Sequence, residues 1–90
     1  MVYFISDGER IKIGFTTDIR QRLNSLQTAN SNKLKLLYRI DDGGHALEKH
    51  IHEMCERYRL EGEWFLLSCL EHLMNHPWYK LNMKQAIKNC

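Results

Sequence analysis

Four polar residues between positions 3 and 48 could together carry out one reaction: Tyr3, Lys12, Arg22 and Glu48. Hydrolysis of a phosphodiester needs a group that activates water, a cation beside the phosphoryl oxygens and a carboxylate that holds a metal ion. These four residue types supply those roles. Each also has a structural explanation, because strand tyrosines often pack across strands, and helix arginines and glutamates are often solvated. The elements that carry the residues must therefore decide whether they meet.

A hairpin is predicted at the start of the chain. Short apolar runs at 2–5 and 11–14 flank an Asp-Gly pair at 7–8, which is typical of a tight turn. With that pair as the loop, Tyr3 lies opposite Lys12 on one face of the hairpin. A two-residue loop one position later keeps both on that face but two residues out of line, whereas a three-residue loop separates them. In either two-residue arrangement the opposite face is apolar.

The next segment predicts a helix that begins near Asp18, with Thr16 or Thr17 as its cap. Arg22 lies at the border of the apolar stripe of this helix, where an arginine can turn its head group towards a cleft. The stripe, which we expect to pack on the sheet, consists of Ile19, Leu23 and Leu26.

A second helix is predicted from His45 to about Tyr58, with an apolar stripe directed at the core. At about 100° per residue, Glu48, His52 and Arg59 line up along one border of that stripe. Because Glu48 and His52 are one helical turn apart, the imidazole can hydrogen-bond the carboxylate. This border is therefore the second candidate strip for chemistry.

The rest of the chain supplies further elements. Residues 34–40 predict a third strand, and residues 62–67 predict a short buried strand or extended segment. Residues 68–75 predict a helix, and a weak basic helix is expected over roughly 80–88.

Composition limits the kind of protein. Ninety residues with 43% hydrophobic and 27% charged residues are typical of one small folded domain. A net charge of +2 permits weak attraction to phosphate but falls short of a strongly basic nucleic-acid-binding arm. Three widely spaced cysteines, at 55, 69 and 90, predict reduced thiols. Since no apolar run reaches about 18 residues, a soluble cytoplasmic protein without membrane contact is expected.

The order of the motifs resembles the GIY-YIG nuclease superfamily. A VY pair resembles part of GIY, and a KIG segment resembles YIG with lysine in first place, as in a phage- and restriction-associated branch. An arginine follows that lysine by ten residues, and an ALEK block and a GEWF segment come later. The matching positions are Val2-Tyr3, Lys12-Ile13-Gly14, Arg22, 46–49, Ile51-His52, Arg59 and 62–65. Met1 stands where the family often has glycine.

The resemblance covers residues 2–67 and implies a fold of the α/β class, more narrowly α+β, with a small three-stranded antiparallel sheet flanked by helices. We expect residues 1–90 to form a single domain of this type, in which residues 68–90 are a C-terminal helical extension. The predicted hairpin, third strand and amphipathic helices agree with that layout.

The resemblance also implies a chemistry, namely cleavage of DNA with one divalent ion, Mg²⁺ or Mn²⁺. Tyr3 is the expected general base or its assistant, and Lys12 lowers the pKa of that tyrosine or orients water. Arg22 neutralises charge on the phosphoryl oxygens, and Glu48 anchors the metal. The expected function is that of a metal-dependent DNA endonuclease.

Further residues are candidates for supporting roles. Glu63 takes part of the role of a late asparagine found in other branches, and His52 hydrogen-bonds the Glu48 carboxylate or touches a phosphate. The spacing disfavours a zinc site among the histidines and the cysteine of residues 45–55. A DNA backbone groove is expected along four basic residues, which an ordinary solvated surface explains equally well. They are Arg20, Lys33, Lys35 and Arg59.

Two alternative functions remain open. The same fold can bind nucleic acid or a partner protein without turnover. An enzyme of 90 residues with a charge of +2 gains specificity by dimerising or by recruitment through a partner, so a homodimer or a recruiting protein is expected beside DNA. The chain can also be a structural or regulatory protein of phage type on a nuclease-like scaffold.

Overall fold

The computed structural model describes residues 1–86, which form one antiparallel sheet with helices on both faces. The strands are β1 (Val2–Ser6), β2 (Arg10–Phe15), β3 (Lys35–Ile40), β4 (Arg59–Glu61), β5 (Trp64–Leu66) and β6 (Lys84–Gln85). The helices are α1 (Ile19–Thr28), α2 (His45–Met54), α3 (Ser68–Met74) and α4 (Pro77–Asn82), with a 3₁₀ turn at Glu56–Tyr58. The strand order is β4-β5-β2-β1-β3-β6. Within the described residues no helix is both long and apolar enough to cross a membrane.

The first hairpin has a register that places Tyr3 opposite Gly14 and Ile5 opposite Lys12. The Asp7 amide donates to the Arg10 carbonyl at 3.2 Å, so the loop starts one residue later than the Asp-Gly pair suggests. The Asp7 carboxylate accepts the backbone amides of Glu9 and Arg10 at 3.0 and 2.7 Å, which fixes aspartate at the first position of the turn. The prediction of Tyr3 opposite Lys12 is therefore wrong, but both side chains still share a face.

The alternation of side chains along β1 separates two cores. Phe4 on one face belongs to a large cluster completed by buried residues of α2, α3 and α4. Tyr3 and Ile5 on the other face belong to a small cluster, against which the predicted apolar stripe of α1 packs as expected. Cys55 and Cys69 are free and buried in the large cluster, whereas Cys90 lies outside the described residues.

The start of α1 differs from the sequence prediction by one residue. Asp18 is itself the N-cap, because its carboxylate accepts the Gln21 amide at 3.1 Å. The Thr16 hydroxyl instead accepts the Asp18 amide, also at 3.1 Å, and so supports the cap from outside the helix. Helix α1 begins at Ile19, and Arg22 lies in its first turn.

The second predicted helix is too long. Helix α2 ends at Met54, and a 3₁₀ turn leads directly into β4 at Arg59. The expected core residues nevertheless hold, since Ile51 and Cys55 are buried against the sheet and Leu47, Met54 and Tyr58 pack around them.

The sheet has six strands and not the expected three. β4 and β5 form a second hairpin around Gly62, whose φ of 54° lies in the left-handed region that favours glycine. β6 pairs with the far edge of β3. β5 lies within the segment 62–67 that is predicted to be a short buried strand or extended segment. β4 and β6, of three and two residues, are too short to show an alternating pattern, which is why sequence periodicity misses them.

The helix predicted over roughly 80–88 is wrong as well. Pro77 starts a helix readily because it has no amide to leave unpaired, and α4 therefore runs from Pro77 to Asn82. The chain then extends into β6, and the last two residues of the predicted helix lie outside the described range. The preceding helix, α3, agrees with its prediction within one residue.

Candidate functional site

The candidate site lies at the edge of β2, next to the first residue of β5. β5 pairs with β2 only between Arg10 and Lys12. Beyond that point the Ile13 amide donates to the Glu63 carbonyl at 3.1 Å. The Ile13 carbonyl accepts a hydrogen bond from His52 Nε2 at 2.8 Å. A side chain of α2 and the loop before β5 thus take the place of a neighbouring strand at Ile13. At this edge, residues from α2 on one face of the sheet come close to residues on the other face.

Tyr3 and Arg22 meet as the sequence predicts. The Arg22 Nε donates to the Tyr3 hydroxyl at 3.1 Å, which connects the first turn of α1 with the middle of the sheet. Tyr3 is fully buried, whereas Arg22 is half-buried. The cross-strand neighbour Gly14 leaves room for the phenol, because a Cβ at that position would overlap the Tyr3 hydroxyl. The glycine of the KIG segment is therefore required by packing.

The environment of Tyr3 keeps its hydroxyl protonated. Burial raises the pKa of Tyr3 above its ordinary value, and the negative charges of Glu63 and Glu48 raise it further. The hydrogen bond and the charge of Arg22 oppose this shift without cancelling it. The cation that opposes the rise in the pKa of Tyr3 is thus the Arg22 guanidinium. Lys12, which the resemblance assigns to lowering that pKa or to orienting water, contacts Glu63. The shift also shows that both glutamates lie within electrostatic reach of the phenol.

Lys12 is directed along the sheet towards β5. Its Nζ lies 3.6 Å from Glu63 Oε1 and 5.1 Å from the centre of the Trp64 ring. The side chain is only 14% exposed, so the pair with Glu63 compensates a largely desolvated charge. Lys12 therefore contacts the site through Glu63.

Three side chains near this edge form a group that could hold a metal ion. One ring nitrogen of His52 and one carboxylate oxygen each of Glu48 and Glu63 lie within 4.8 Å of one another. The Glu48 side chain is 15% exposed and also lies 3.7 Å from the ring of His45. Two carboxylates and an imidazole are suitable ligands for a divalent cation. Among residues 1–86 no group of three or more such donors includes Cys55.

The remaining predicted site residues do not join this group. Arg59 pairs with Glu56 at 3.0 Å and lies over the Phe65 ring, so the expected alignment with Glu48 and His52 is wrong. The cause is the early end of α2, which moves Arg59 into a strand. The other three candidates for a DNA groove are exposed on the surface: Arg20, Lys33 and Lys35.

The cleft towards which Arg22 is expected to turn its head group is present in the structure. It encloses about 190 Å³ and is lined by Thr16, Asp18, Gln21, Arg22 and Ser25. The guanidinium therefore contacts the buried phenol and also borders an open cavity. A signal for this cleft exists in the sequence, because residues three and four apart in a helix share one face.

The fold and the site define a small α+β domain with a polar, metal-compatible cluster at one sheet edge. The chain belongs to the T5orf172 domain family, whose model matches residues 1–88. This family is associated with phages and with nuclease-like domains, which indicates a nuclease-like or DNA-related role. No curated protein and no solved structure matches the chain.

Proposed function

We propose that the protein is a metal-dependent DNA endonuclease of the GIY-YIG type that hydrolyses phosphodiester bonds. The observation that carries the proposal is the contact of Arg22 with the buried Tyr3 hydroxyl, within electrostatic reach of Glu48 and Glu63. A phenol, a guanidinium and a metal-type carboxylate pair in one place provide proton transfer, charge neutralisation and cation binding together.

Arg22 binds the scissile phosphate in this mechanism. Its guanidinium borders the open cleft and can donate to the phosphoryl oxygens, whose charge grows in the transition state. The same group covers the Tyr3 hydroxyl. A phosphate that draws the guanidinium towards the cleft therefore uncovers the phenol at the moment when substrate is present.

Tyr3 then orients the attacking water. In the absence of substrate burial keeps the phenol protonated, although the hydrogen bond from Arg22 favours the phenolate. To act as the base, the uncovered hydroxyl first gives its own proton to solvent, and the phenolate oxygen then accepts a proton from the attacking water. Lys12 acts through Glu63, whose carboxylate it holds at 3.6 Å.

Glu48 is the principal ligand proposed for one divalent ion, Mg²⁺ or Mn²⁺. When bound, the ion supplies Lewis-acid stabilisation of the leaving oxygen. The chain contributes a half-buried carboxylate on α2, with a second carboxylate and an imidazole within 4.8 Å.

The test is nicking of a supercoiled plasmid by the purified chain with Mg²⁺ or Mn²⁺, compared with EDTA. Glu48→Gln and Arg22→Ala should each reduce the rate by at least about a hundredfold, as expected when one charge-stabilising group is removed. Matched controls are Glu53→Gln, an exposed glutamate of α2, and Arg57→Ala, an exposed arginine, both of which should keep the rate of the parent chain. Undiminished cleavage by both site variants would refute the proposal.

The complete burial of Tyr3 favours a second candidate, a module that binds nucleic acid without turnover. Water reaches the phenol only if Arg22 moves, so a chain in which Arg22 stays in place binds phosphate without cleaving it. Binding that needs no metal and is unchanged by Glu48→Gln, with no nicking, would support this candidate instead.

We also propose that residues 1–90 act as one domain, with residues 68–90 as an extension of it. The support is shared packing, since Cys69 and Leu73 of α3 and Tyr79 of α4 belong to the same core as Phe4.

A further inference from the structure

His52 is the residue of the site whose role the mechanism above leaves open. Its ring lies against Phe65, with 5.1 Å between the ring centres, and its Nε2 lies 2.8 Å from the Ile13 carbonyl. A carbonyl oxygen can only accept a hydrogen bond, so Nε2 carries a proton, and in the neutral imidazole this leaves Nδ1 with a free lone pair. A histidine held through one nitrogen to a backbone carbonyl is the usual arrangement of a metal-binding imidazole.

The two carboxylates beside this ring lie close enough together to attract a cation. Glu48 and Glu63 repel each other in a half-buried setting, and the only ammonium that contacts either of them within residues 1–86 is Lys12, at 3.6 Å from Glu63. Lys12 engages one oxygen, Oε1, which leaves the second oxygen of the Glu63 carboxylate available. A divalent cation between Glu48 and Glu63 would remove the repulsion between the two carboxylates.

The spacing agrees with one shared ion. Ligand atoms about 2.1 Å from an ion are at most about 4.2 Å apart, so a group within 4.8 Å closes on it through side-chain adjustments below about 1 Å. The ligands come from two elements, with Glu48 and His52 one turn apart on α2 and Glu63 in the loop before β5.

We propose that His52, through Nδ1, and Glu63 bind the same divalent cation as Glu48, and that the site consequently prefers transition-metal ions such as Mn²⁺ over Mg²⁺. This inference rests on the proposed function for the presence of the cation and adds its ligands and its selectivity. Mg²⁺ is usually held by one or two carboxylates and retains its waters, whereas an imidazole ligand favours transition metals.

The test measures Mn²⁺ binding to the intact chain without DNA by electron paramagnetic resonance. Free Mn²⁺ gives a sharp signal from which the dissociation constant follows, and competition with Mg²⁺ gives the relative affinity. Pulsed measurements detect coupling of bound Mn²⁺ to a directly bonded ring nitrogen. The variants are His52→Gln, which can still donate to the Ile13 carbonyl, and the control His50→Gln, which removes an exposed histidine of the same helix.

The parent chain and His50→Gln should show the nitrogen coupling and bind Mn²⁺ at least about tenfold more tightly than Mg²⁺. His52→Gln should lose the coupling and at least about tenfold of the Mn²⁺ affinity, with a smaller loss for Mg²⁺. Glu63→Gln should weaken Mn²⁺ binding and keep the coupling. Thermal unfolding in EDTA, with equal midpoints for parent and His52→Gln, shows that the fold is intact.

The two proposals fail in different ways. Bound Mn²⁺ without nitrogen coupling, or a His52→Gln variant that binds like the parent, overturns this inference while the loss of nicking in Glu48→Gln still supports the endonuclease. An absence of Mn²⁺ binding at millimolar concentration also overturns it, because the three ligands are in place without substrate. Full nicking by both Glu48→Gln and Arg22→Ala overturns the proposed function itself.

Discussion

The two faces of the sheet differ in the number of buried residues that pack on them. The face that carries Phe4 and Ile13 is covered by helices α2, α3 and α4 and, among residues 1–86, contains twelve buried residues in one cluster. The face that carries Tyr3 and Ile5 is covered mainly by α1, and its cluster contains three buried residues from the same range. The smaller face also holds the Tyr3–Arg22 contact and the cleft beside it. Stability and candidate chemistry are therefore separated by the alternation of side chains along a single strand.

This separation has one exception, at the edge of β2. His52 and Glu48 belong to a helix that covers the large face, yet they reach the site. The pairing of β5 with β2 stops at Lys12, which leaves the Ile13 carbonyl free to accept a hydrogen bond from His52. The large core therefore positions half of the site, and the small face positions the other half.

The largest effect should come from opening the large face. Phe4→Ala should lower the free energy of unfolding by about 3–5 kcal/mol, because a fully buried aromatic side chain leaves a cavity that helices on a crowded face cannot fill. Ile5→Ala, on the face covered mainly by α1, should cost about 2 kcal/mol. Urea denaturation measures both values. If Phe4→Ala is too unstable to purify, Phe4→Leu should still cost more than Ile5→Val, and the reverse order would contradict the comparison.

An intermediate effect is expected where the small face is tightest. Gly14→Ala should cost about 1–3 kcal/mol and abolish nicking, since the new methyl group displaces the Tyr3 hydroxyl from Arg22. Gly44→Ala is the matched control because nothing lies within 4 Å of its added Cβ. As the N-cap of α2, Gly44 should lose no more than about 1 kcal/mol on this substitution. Urea denaturation and plasmid nicking give the two readouts, and equal costs for the two substitutions would show that Gly14 has no steric role.

The smallest effect is expected at the turn between β1 and β2, which fixes the register of the first hairpin and so decides which side chains lie on each face. Burial alone raises the pKa of Asp7, but hydrogen bonds from the Arg10 and Glu9 amides and from the Arg10 guanidinium outweigh it and hold the pKa below the ordinary value. A carboxyl group whose pKa is lower in the folded state adds stability above its unfolded value of 3.8, and this stability is lost as pH falls through the folded pKa.

Asp7→Asn should therefore cost about 1–2 kcal/mol at pH 7 and progressively less below pH 4. Urea denaturation at several pH values checks this, with Asp42→Asn, an exposed aspartate, as the control. A cost that does not change between pH 7 and pH 3 would show that the ionised carboxylate is not what stabilises the turn.

Much of this arrangement could be predicted from the sequence because it depends on short-range patterns. Alternation along the hairpin placed Tyr3 and Lys12 on one face, and helical periodicity placed Arg22 towards the sheet. Both features hold although the turn is one residue later than the Asp-Gly pair suggests. One helical turn also connects Glu48 with His52.

The rest depends on long-range pairing that no local pattern encodes. The position of Glu63 follows from the pairing of the three-residue strand β5 with β2, and neither the length nor the partner of that strand is visible in the sequence. The same pairing directs Lys12 to Glu63 instead of to Tyr3. Arg59 was misplaced because nothing in its neighbourhood marks the end of α2, where no glycine or proline stands.

The separation between Tyr3 and Arg22 along the chain is only 19 residues, whereas His52 and Ile13 are 39 residues apart. The phenol–guanidinium contact thus needs only the first hairpin and α1, but the metal group needs α2 and the loop before β5. Contacts between nearby residues form early, and a nascent chain emerges in the same order. Under the proposed function, a ribosome-bound fragment can form the phosphate-binding pair before it can hold the cation, so nuclease activity appears only after the loop before β5 has emerged.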